Sequence, residues 1–120
     1  MRKHPIVALV YDFDGTLSPG NMQEFGFIQA IGKKPQEFWQ ESDNIALGQD
    51  ASNILSYMKL MFDEARKSGI KLRREDFNKF GESVELFNGV KEWFSLINEY
   101  GKKRGVRVEH YINSSGLAEI

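Results

Sequence analysis

The protein has 120 residues, and its 16 Lys and Arg nearly balance its 17 Asp and Glu, which gives a net charge of −1. This length suits one domain, or one domain with a small insertion, and the balanced charge predicts neither a nucleic acid nor a membrane as partner. The absence of Cys excludes a disulfide scaffold, cysteine metal ligands and a cysteine nucleophile. No apolar run reaches the ~20 residues of a membrane span or the roughly 7–15 of a secretory signal, so the cytoplasm is the predicted compartment.

The first predicted element is a strand over residues 6–11. Its sequence, IVALVY, is apolar throughout and rich in β-branched residues, a pattern typical of a parallel strand that is buried on both faces. The strand ends abruptly at Asp12, and Ser18-Pro19-Gly20 then interrupts regular structure.

Residues 21–86 are predicted to form several short helices. Pro35 is well placed to begin one of them, and Asp50 is predicted to cap the longest, which ends before Gly69. The apolar stripe of this longest helix is predicted to comprise Ile54, Leu55, Met58, Met61, Phe62 and Ala65. A further short helix is predicted to carry Phe77, Phe80 and Val84. The aromatic side chains of the region, Phe25, Phe38 and Trp39 included, are predicted to form a small core, and Lys33 and Lys34 a solvated surface.

The last third of the chain is predicted to form a helix followed by a strand. Apolar residues at helical spacing between Val90 and Tyr100 predict a helix, and residues 106–113 predict a strand that ends at Ser114-Ser115. Residues 117–120 are predicted to begin another helix. A helix between two parallel strands is a βαβ unit, so the predicted class is α/β with a helical insertion after the first strand.

Two carboxylates follow the first predicted strand directly. Asp12 and Asp14 flank Phe13 at the carboxyl end of the strand, which is where open α/β sheets bind their ligands. Because residues two apart in an extended segment project to the same side, both charges would face one small volume, and a hard cation such as Mg²⁺ relieves their repulsion. Gly15 allows backbone N–H groups to approach an anion closely, and the hydroxyl of Thr16 adds a donor.

Two other interpretations of this segment stay open. An ordinary Asp-Gly turn explains Asp14 and Gly15 well but explains Asp12 poorly, since a carboxylate that ends an apolar strand is costly without a partner. Asp-x-Asp pairs also occur in metal-dependent glycosyltransferases, although those sites lack the Gly-Thr continuation.

Residues 12–17, DFDGTL, resemble the first motif of the haloacid dehalogenase-like (HAD) hydrolase superfamily. The predicted strand that ends in YINSSG, residues 111–116, resembles the second motif, an apolar strand ending in Ser or Thr. The helical insertion stands where the superfamily places a type 1 helical cap. The resemblance covers the whole chain and implies a Rossmann-like parallel-sheet core, residues 1–17 and 87–120, with a cap over residues 18–86.

The resemblance implies a magnesium-dependent phosphatase that acts on a small phosphorylated substrate. Asp12 would be the nucleophile that forms an aspartyl-phosphate, and Asp14 the general acid and then the general base. Mg²⁺ would be held by the Asp12 carboxylate and the Asp14 backbone carbonyl. Ser114 would donate a hydrogen bond to the phosphoryl group, with Ser115 as the neighbouring candidate, and backbone N–H groups around Gly15 would help to hold it. Capping of a helix is the alternative role of the two serines.

The superfamily also uses a later Lys or Arg and a later acidic pair, and no residue before Ile120 fits either role. The resemblance therefore implies an N-terminal portion that is inactive or weakly active alone. The alternative is a non-catalytic α/β module that binds phosphate or a partner. An incomplete sheet leaves free strand edges, so self-association through the sheet is also predicted.

Overall fold

The structure is a computed structural model that describes residues 3–120. Within these residues it has five α-helices, one short 3-10 helix at Met22–Glu24, and two strands. The strands are β1 (Ile6–Tyr11) and β2 (Arg107–Ile112). The helices are α1 (Phe27–Ala30), α2 (Pro35–Gln49), α3 (Asn53–Lys67), α4 (Arg74–Gly81) and α5 (Val90–Lys103). None of the helices in this part of the chain combines the length and the apolar character that crossing a bilayer requires.

The two strands form a parallel pair, which confirms the predicted mixed α/β class. Ile6 pairs with Arg107 at one end and Tyr11 with Ile112 at the other. The chain crosses from β1 to β2 through the helical insertion and then α5, as a parallel connection requires.

Burial on both faces of β1, which its apolar sequence predicts, is wrong for this structure. Ile6 and Val10 are 58% and 64% exposed, and Val7 is 45% exposed. Helix α5 lies over one face only, where the ring of Phe94 meets that of Tyr11 at 5.8 Å. Since side chains of a strand alternate between its faces, the other face is left without a covering helix in the described part of this unit.

The chain divides into two compact units. The strand unit comprises the chain up to Asn21 together with Glu85–Ser114, and the helical unit comprises Met22–Val84 together with Ser115–Ile120. Residues 115–120, which were expected in the strand unit, are thus assigned to the helical unit. There the Tyr57 hydroxyl donates to the Ser115 carbonyl at 2.8 Å, and the Leu117 N–H donates to Met22 Sδ at 3.2 Å.

The helical unit has its own hydrophobic core, as the aromatic content of the insertion predicts. The buried members of this core are Phe27, Ile28, Phe38, Tyr57, Leu60, Met61 and Ala65. The predicted stripe on α3 is only partly right, because Met61 and Ala65 are buried while Ile54, Leu55 and Phe62 are exposed. Apolar residues lie on two sides of α3, and the side that includes Leu60 is the buried one.

Three local predictions are also corrected. Asp50 is the C-cap of α2 in a left-handed conformation with φ 49°, and Ser52 caps α3 by accepting the Ile54 N–H at 3.2 Å. Helix α4 ends at Gly81, before Val84. Residues 117–120 form turns and do not begin a helix.

An ionic cluster lies at the edge of the helical core, and it includes one lysine that was expected on a solvated surface. The Glu64 side chain, only 8% exposed, accepts from Lys67 Nζ at 2.7 Å and lies 3.3 Å from Lys33 Nζ. Lys33 also donates to Glu41. The Glu41 and Glu64 carboxylates raise the pKa of Lys33, and the two lysines, Lys67 foremost, lower the pKa of Glu64.

Candidate functional site

The carboxyl ends of the two strands meet at one edge of the sheet. The Asn113 N–H donates to the Tyr11 carbonyl at 2.8 Å, one residue beyond the last paired position, Tyr11 and Ile112. Asp12 follows β1 directly, and Ser114 comes two residues after β2. The parallel pairing therefore brings the beginning of residues 12–17 and the end of residues 111–116 to the same edge.

A compact loop over residues 13–20 follows Asp12. The Phe13 carbonyl accepts the N–H groups of Thr16, Leu17 and Ser18 at 3.1, 3.0 and 3.2 Å. Gly15 has φ 76°, a conformation that glycine adopts without strain. This turn folds the chain back immediately after the strand.

The four predicted site residues in this segment differ in their surroundings. Asp12 is exposed, and its Oδ1 accepts the Phe13 N–H at 2.9 Å, while Asp14 is half-buried. The Gly15 N–H donates to the Ser18 and Gly20 carbonyls, and the Thr16 N–H donates to Phe13. These two N–H groups are therefore engaged inside the loop, and the exposed Thr16 also carries a hydroxyl donor.

The two candidate serines fall in different units. Ser114 belongs to the strand unit and is exposed, whereas Ser115 belongs to the helical unit, where its carbonyl accepts from Tyr57. Asp12 and Ser114 therefore share one compact unit.

The oxygen donors at this edge match what Mg²⁺ prefers. Carboxylates and a backbone carbonyl are hard ligands, and Mg²⁺ in proteins is often held by one or two carboxylates, with water and substrate phosphate completing its shell. Across residues 3–120, no group of three or more His, Cys, Asp or Glu side chains is arranged to hold a metal ion.

Sequence reasoning missed the residues that hold the loop in place. Ser18 is fully buried, and its hydroxyl donates to the Glu85 carbonyl. The Phe87 N–H donates to the carbonyl of Leu17, which is also buried, at 2.9 Å. These contacts join the point where the chain leaves the strand unit to the point where it returns. A Ser followed by Pro and Gly indicates a turn and carries no signal for such a partner.

A hydrogen-bonded network supports Tyr11, the residue before Asp12. Trp93 Nε1 donates to the Tyr11 hydroxyl at 2.8 Å, and that hydroxyl lies 2.8 Å from His110 Nδ1. His110 Nε2 lies 2.7 Å from Asn98 Oδ1. With the Asn98 oxygen as acceptor, Nε2 carries the His110 proton and the Tyr11 hydroxyl donates to Nδ1. Both ring nitrogens of His110 are thus engaged within the strand unit.

Comparison with known proteins finds no matching family model and no matching solved structure. The chain is 31% identical over 126 residues to a protein of Borreliella burgdorferi that is described as uncharacterized. The match covers 96% of this chain and 44% of that protein. The chain therefore spans less than half the length of this curated relative.

Proposed function

We propose that the chain carries the phosphoryl-transfer site of a HAD-like, magnesium-dependent phosphatase with a Rossmann-like core and a helical cap. The observation that carries the proposal is the shared edge. The parallel register brings Asp12, at the end of a wholly apolar strand, to the same sheet edge as Ser114. Carboxylate and hydroxyl groups at this edge are the nucleophile and the donor that phosphoryl transfer needs.

In the proposed reaction, an Asp12 carboxylate oxygen attacks the phosphorus of a phosphomonoester. A new oxygen–phosphorus bond forms, and the bond to the leaving oxygen breaks as Asp14 gives that oxygen a proton. Asp14 then takes a proton from water, whose oxygen bonds to the phosphorus of the aspartyl-phosphate. The bond between phosphorus and Asp12 breaks, which restores the carboxylate and releases inorganic phosphate. Asp12 is the more exposed of the two carboxylates, which suits a nucleophile that must reach a substrate.

Bound Mg²⁺ would supply positive charge that reduces the repulsion between a carboxylate and a phosphate. The Asp12 side chain and the Asp14 backbone carbonyl are the groups proposed to hold it. The hydroxyls of Thr16 and Ser114 are proposed to orient the phosphoryl oxygens.

A second candidate function is a module that binds phosphate or a partner without turnover. It is favoured by the absence, within residues 3–120, of a third acidic or imidazole ligand beside Asp12 and Asp14. It is also favoured by the engagement of the Gly15 and Thr16 N–H groups within the loop. Both candidates predict phosphate binding at the same edge, and they differ in turnover.

The test is a titration of the chain with inorganic phosphate and Mg²⁺, followed by amide NMR. We expect Mg²⁺-dependent shifts confined to residues 12–16 and to Ser114. Asp12→Asn should weaken Mg²⁺-dependent binding at least tenfold, because it removes the charged ligand. Asp14→Asn should leave binding within about threefold, because the proposed contact of Asp14 with the metal is made by its backbone carbonyl.

Asp43→Asn is the matched control, because Asp43 is an exposed carboxylate on α2 in the helical unit. It should leave the titration unchanged. Mg²⁺-dependent shifts that persist in Asp12→Asn, or shifts centred away from residues 12–16, would contradict the proposed site.

A further inference from the structure

The strand unit has a cavity at the end of the sheet opposite to Asp12. The cavity has a volume of about 680 Å³, within the range of roughly 300–1,000 Å³ that small-molecule sites occupy. His4 and Ile6 line it where β1 begins, and Val106 and Arg107 line it where β2 begins. We call it the amino-end cavity. The six residues of β1, at about 3.3 Å each, separate it from the proposed phosphoryl-transfer site.

The charged side chains that line the amino-end cavity are cationic. They belong to Lys3, Lys102 and Arg107, and none of the described residues that line the cavity is acidic. Arg107 pairs with Glu109 at 3.1 Å, which compensates its charge. Lys3 and Lys102 form no ion pair with any residue in the described range 3–120. Their two charges stay uncompensated, which favours an anion of matching charge.

The end of α5 does not by itself explain this arrangement of cations. Cations in the last turn of a helix are common because they complement the helix dipole, and α5 ends with Lys102 and Lys103. Lys103 does not line the amino-end cavity, and Arg104 lies over the ring of Tyr100 at 3.5 Å. Lys3, however, comes from the opposite end of the chain and lines the same cavity as Lys102.

Two polar side chains of the amino-end cavity are held in fixed orientations. His110 Nε2 donates to Asn98 Oδ1 at 2.7 Å, so the amide N–H groups of Asn98 remain as donors. His4 Nδ1 lies 3.0 Å from the Gly105 carbonyl oxygen and donates to it, because a carbonyl only accepts. A donor that is already oriented loses little conformational freedom when a ligand binds, which favours affinity.

The rest of the amino-end cavity is apolar. Ile6, Val106 and Val108 contribute this part of its lining. An inorganic anion would leave these side chains in contact with water, whereas a ligand with an apolar body would remove them from it. The lining therefore favours a ligand that combines an anionic group with an apolar body.

We propose that the amino-end cavity binds a soluble phosphate monoester with an apolar body. A phosphate monoester places close to two negative charges on one group at neutral pH, which matches the charges of Lys3 and Lys102. Asn98 donates a hydrogen bond to this group, and the valine side chains contact the apolar body. The inference does not depend on phosphoryl transfer, because none of these residues belongs to the site around Asp12.

The test is an amide NMR titration of the 120-residue chain with phenylphosphonate, in EDTA and without Mg²⁺. Phenylphosphonate carries a similar charged group on an apolar ring, and its phosphorus–carbon bond is not a phosphatase substrate. We expect shifts centred on His4 and on residues 105–107. Inorganic phosphate lacks the apolar body and phenol lacks the charged group, so each should bind about tenfold more weakly or worse.

Lys102→Gln should weaken phenylphosphonate binding about fivefold or more, because it removes one of the two uncompensated charges. Lys3→Gln should have a similar effect, and Lys102→Arg should retain binding. Lys103→Gln is the matched control, since Lys103 is exposed in the same turn of α5 and does not line the cavity. It should leave binding within about twofold. Circular dichroism should be the same for all four variants, because the three lysines are exposed.

Equal weakening by Lys102→Gln and Lys103→Gln would overturn the proposal, because it would indicate general attraction to a cationic helix end. Equal affinity for inorganic phosphate or for phenol would also overturn it. Absence of phenylphosphonate shifts, with Lys102-dependent sedimentation on vesicles of phosphatidic acid and phosphatidylcholine, would instead assign the cations to a membrane surface. Shifts centred on residues 12–16 would refute this cavity as the site while leaving the proposed function intact, so the two proposals fail separately.

Discussion

Glu64 shows how a single buried charge can organise the helical unit. Its side chain is 8% exposed and accepts a hydrogen bond from Lys67, while Lys33 lies 3.3 Å away and also pairs with Glu41. Burying a carboxylate is costly unless cations and hydrogen bonds satisfy it. The sequence does not predict the contact between Glu64 and Lys33, because the two residues are far apart along the chain.

We therefore predict that Glu64→Gln lowers the free energy of unfolding at pH 7 by about 1–3 kcal/mol, measured by urea denaturation. The substitution removes the charge that both lysines contact. Asp63→Asn is the matched control, since Asp63 is the next residue and pairs with Lys59 on the surface. Its effect should be clearly smaller, because exposed ion pairs contribute little to stability.

The effect of Glu64→Gln on the free energy of unfolding should depend on pH. The two lysines hold the pKa of Glu64 below its ordinary value of 4.5 in the folded protein. A lowered carboxyl pKa contributes stability above the unfolded pKa and loses it as the pH falls through the folded pKa. The difference in stability between wild type and Glu64→Gln should thus be full at pH 7 and shrink below about pH 4.5. A difference that stays constant down to pH 3 would contradict the assigned role of the charge.

At the scale of elements, the sequence and the structure assign different residues as the N-cap of α3. The sequence favours Asp50 as the cap of α3, yet the structure has Ser52 accepting the Ile54 N–H and Asp50 in a left-handed conformation. We expect Ser52→Ala to cost about 1 kcal/mol, as loss of an N-cap does. Asp50→Gly should be neutral or stabilising, because glycine adopts a positive φ freely. Thermal denaturation of both variants tests these assignments. If Asp50→Gly proved less stable than Ser52→Ala, Asp50 would be the N-cap of α3.

The packing of α5 on β2 depends on Gly101. A Cβ atom at this position would lie 2.7 Å from Val108 Cγ2 and 3.0 Å from the Val106 carbonyl oxygen. Gly101→Ala should therefore destabilise the chain by about 1–3 kcal/mol through overpacking. Gly48→Ala is the matched control in α2, where a Cβ meets nothing within 4 Å, and it should stabilise by about 0.5–1 kcal/mol. Equal effects in calorimetry would contradict the close contact of helix and strand.

These elements also show what the sequence can predict. Pro35 begins α2 and Gly69 follows the end of α3, as predicted, because helix termini depend on local backbone chemistry. The buried side of α3 could not be predicted, because Leu55 and Leu60 are equally apolar and only tertiary packing distinguishes them. The candidate site segment could be predicted because Asp12 and Asp14 stand together in sequence. The anchor from Ser18 to Glu85 was missed because its partners are 67 residues apart.

At the scale of the whole molecule, the two units differ in how much apolar surface they bury. The helical unit buries an aromatic and aliphatic core, while the described residues of the strand unit form one helix over two strands with an exposed apolar face. The proposed site lies at the edge of this two-stranded sheet. We therefore expect the 120 residues alone to hydrolyse a generic aryl phosphate weakly or not at all. Strong turnover by these residues that Asp12→Asn abolishes would show that no further segment is needed for activity. Activity that requires a nucleotide sugar would favour a metal-dependent glycosyltransferase.

The central claim is that Asp12 is the group that receives a phosphoryl group. Beryllium fluoride mimics a phosphoryl group on a carboxylate, so fluorine NMR of the chain with beryllium fluoride tests this claim most directly. We predict a bound signal that requires Mg²⁺, is lost in Asp12→Asn and is retained in Asp43→Asn. A bound signal that persists in Asp12→Asn, or no bound signal in the wild-type chain with Mg²⁺ present, would contradict the assignment of Asp12 as the nucleophile.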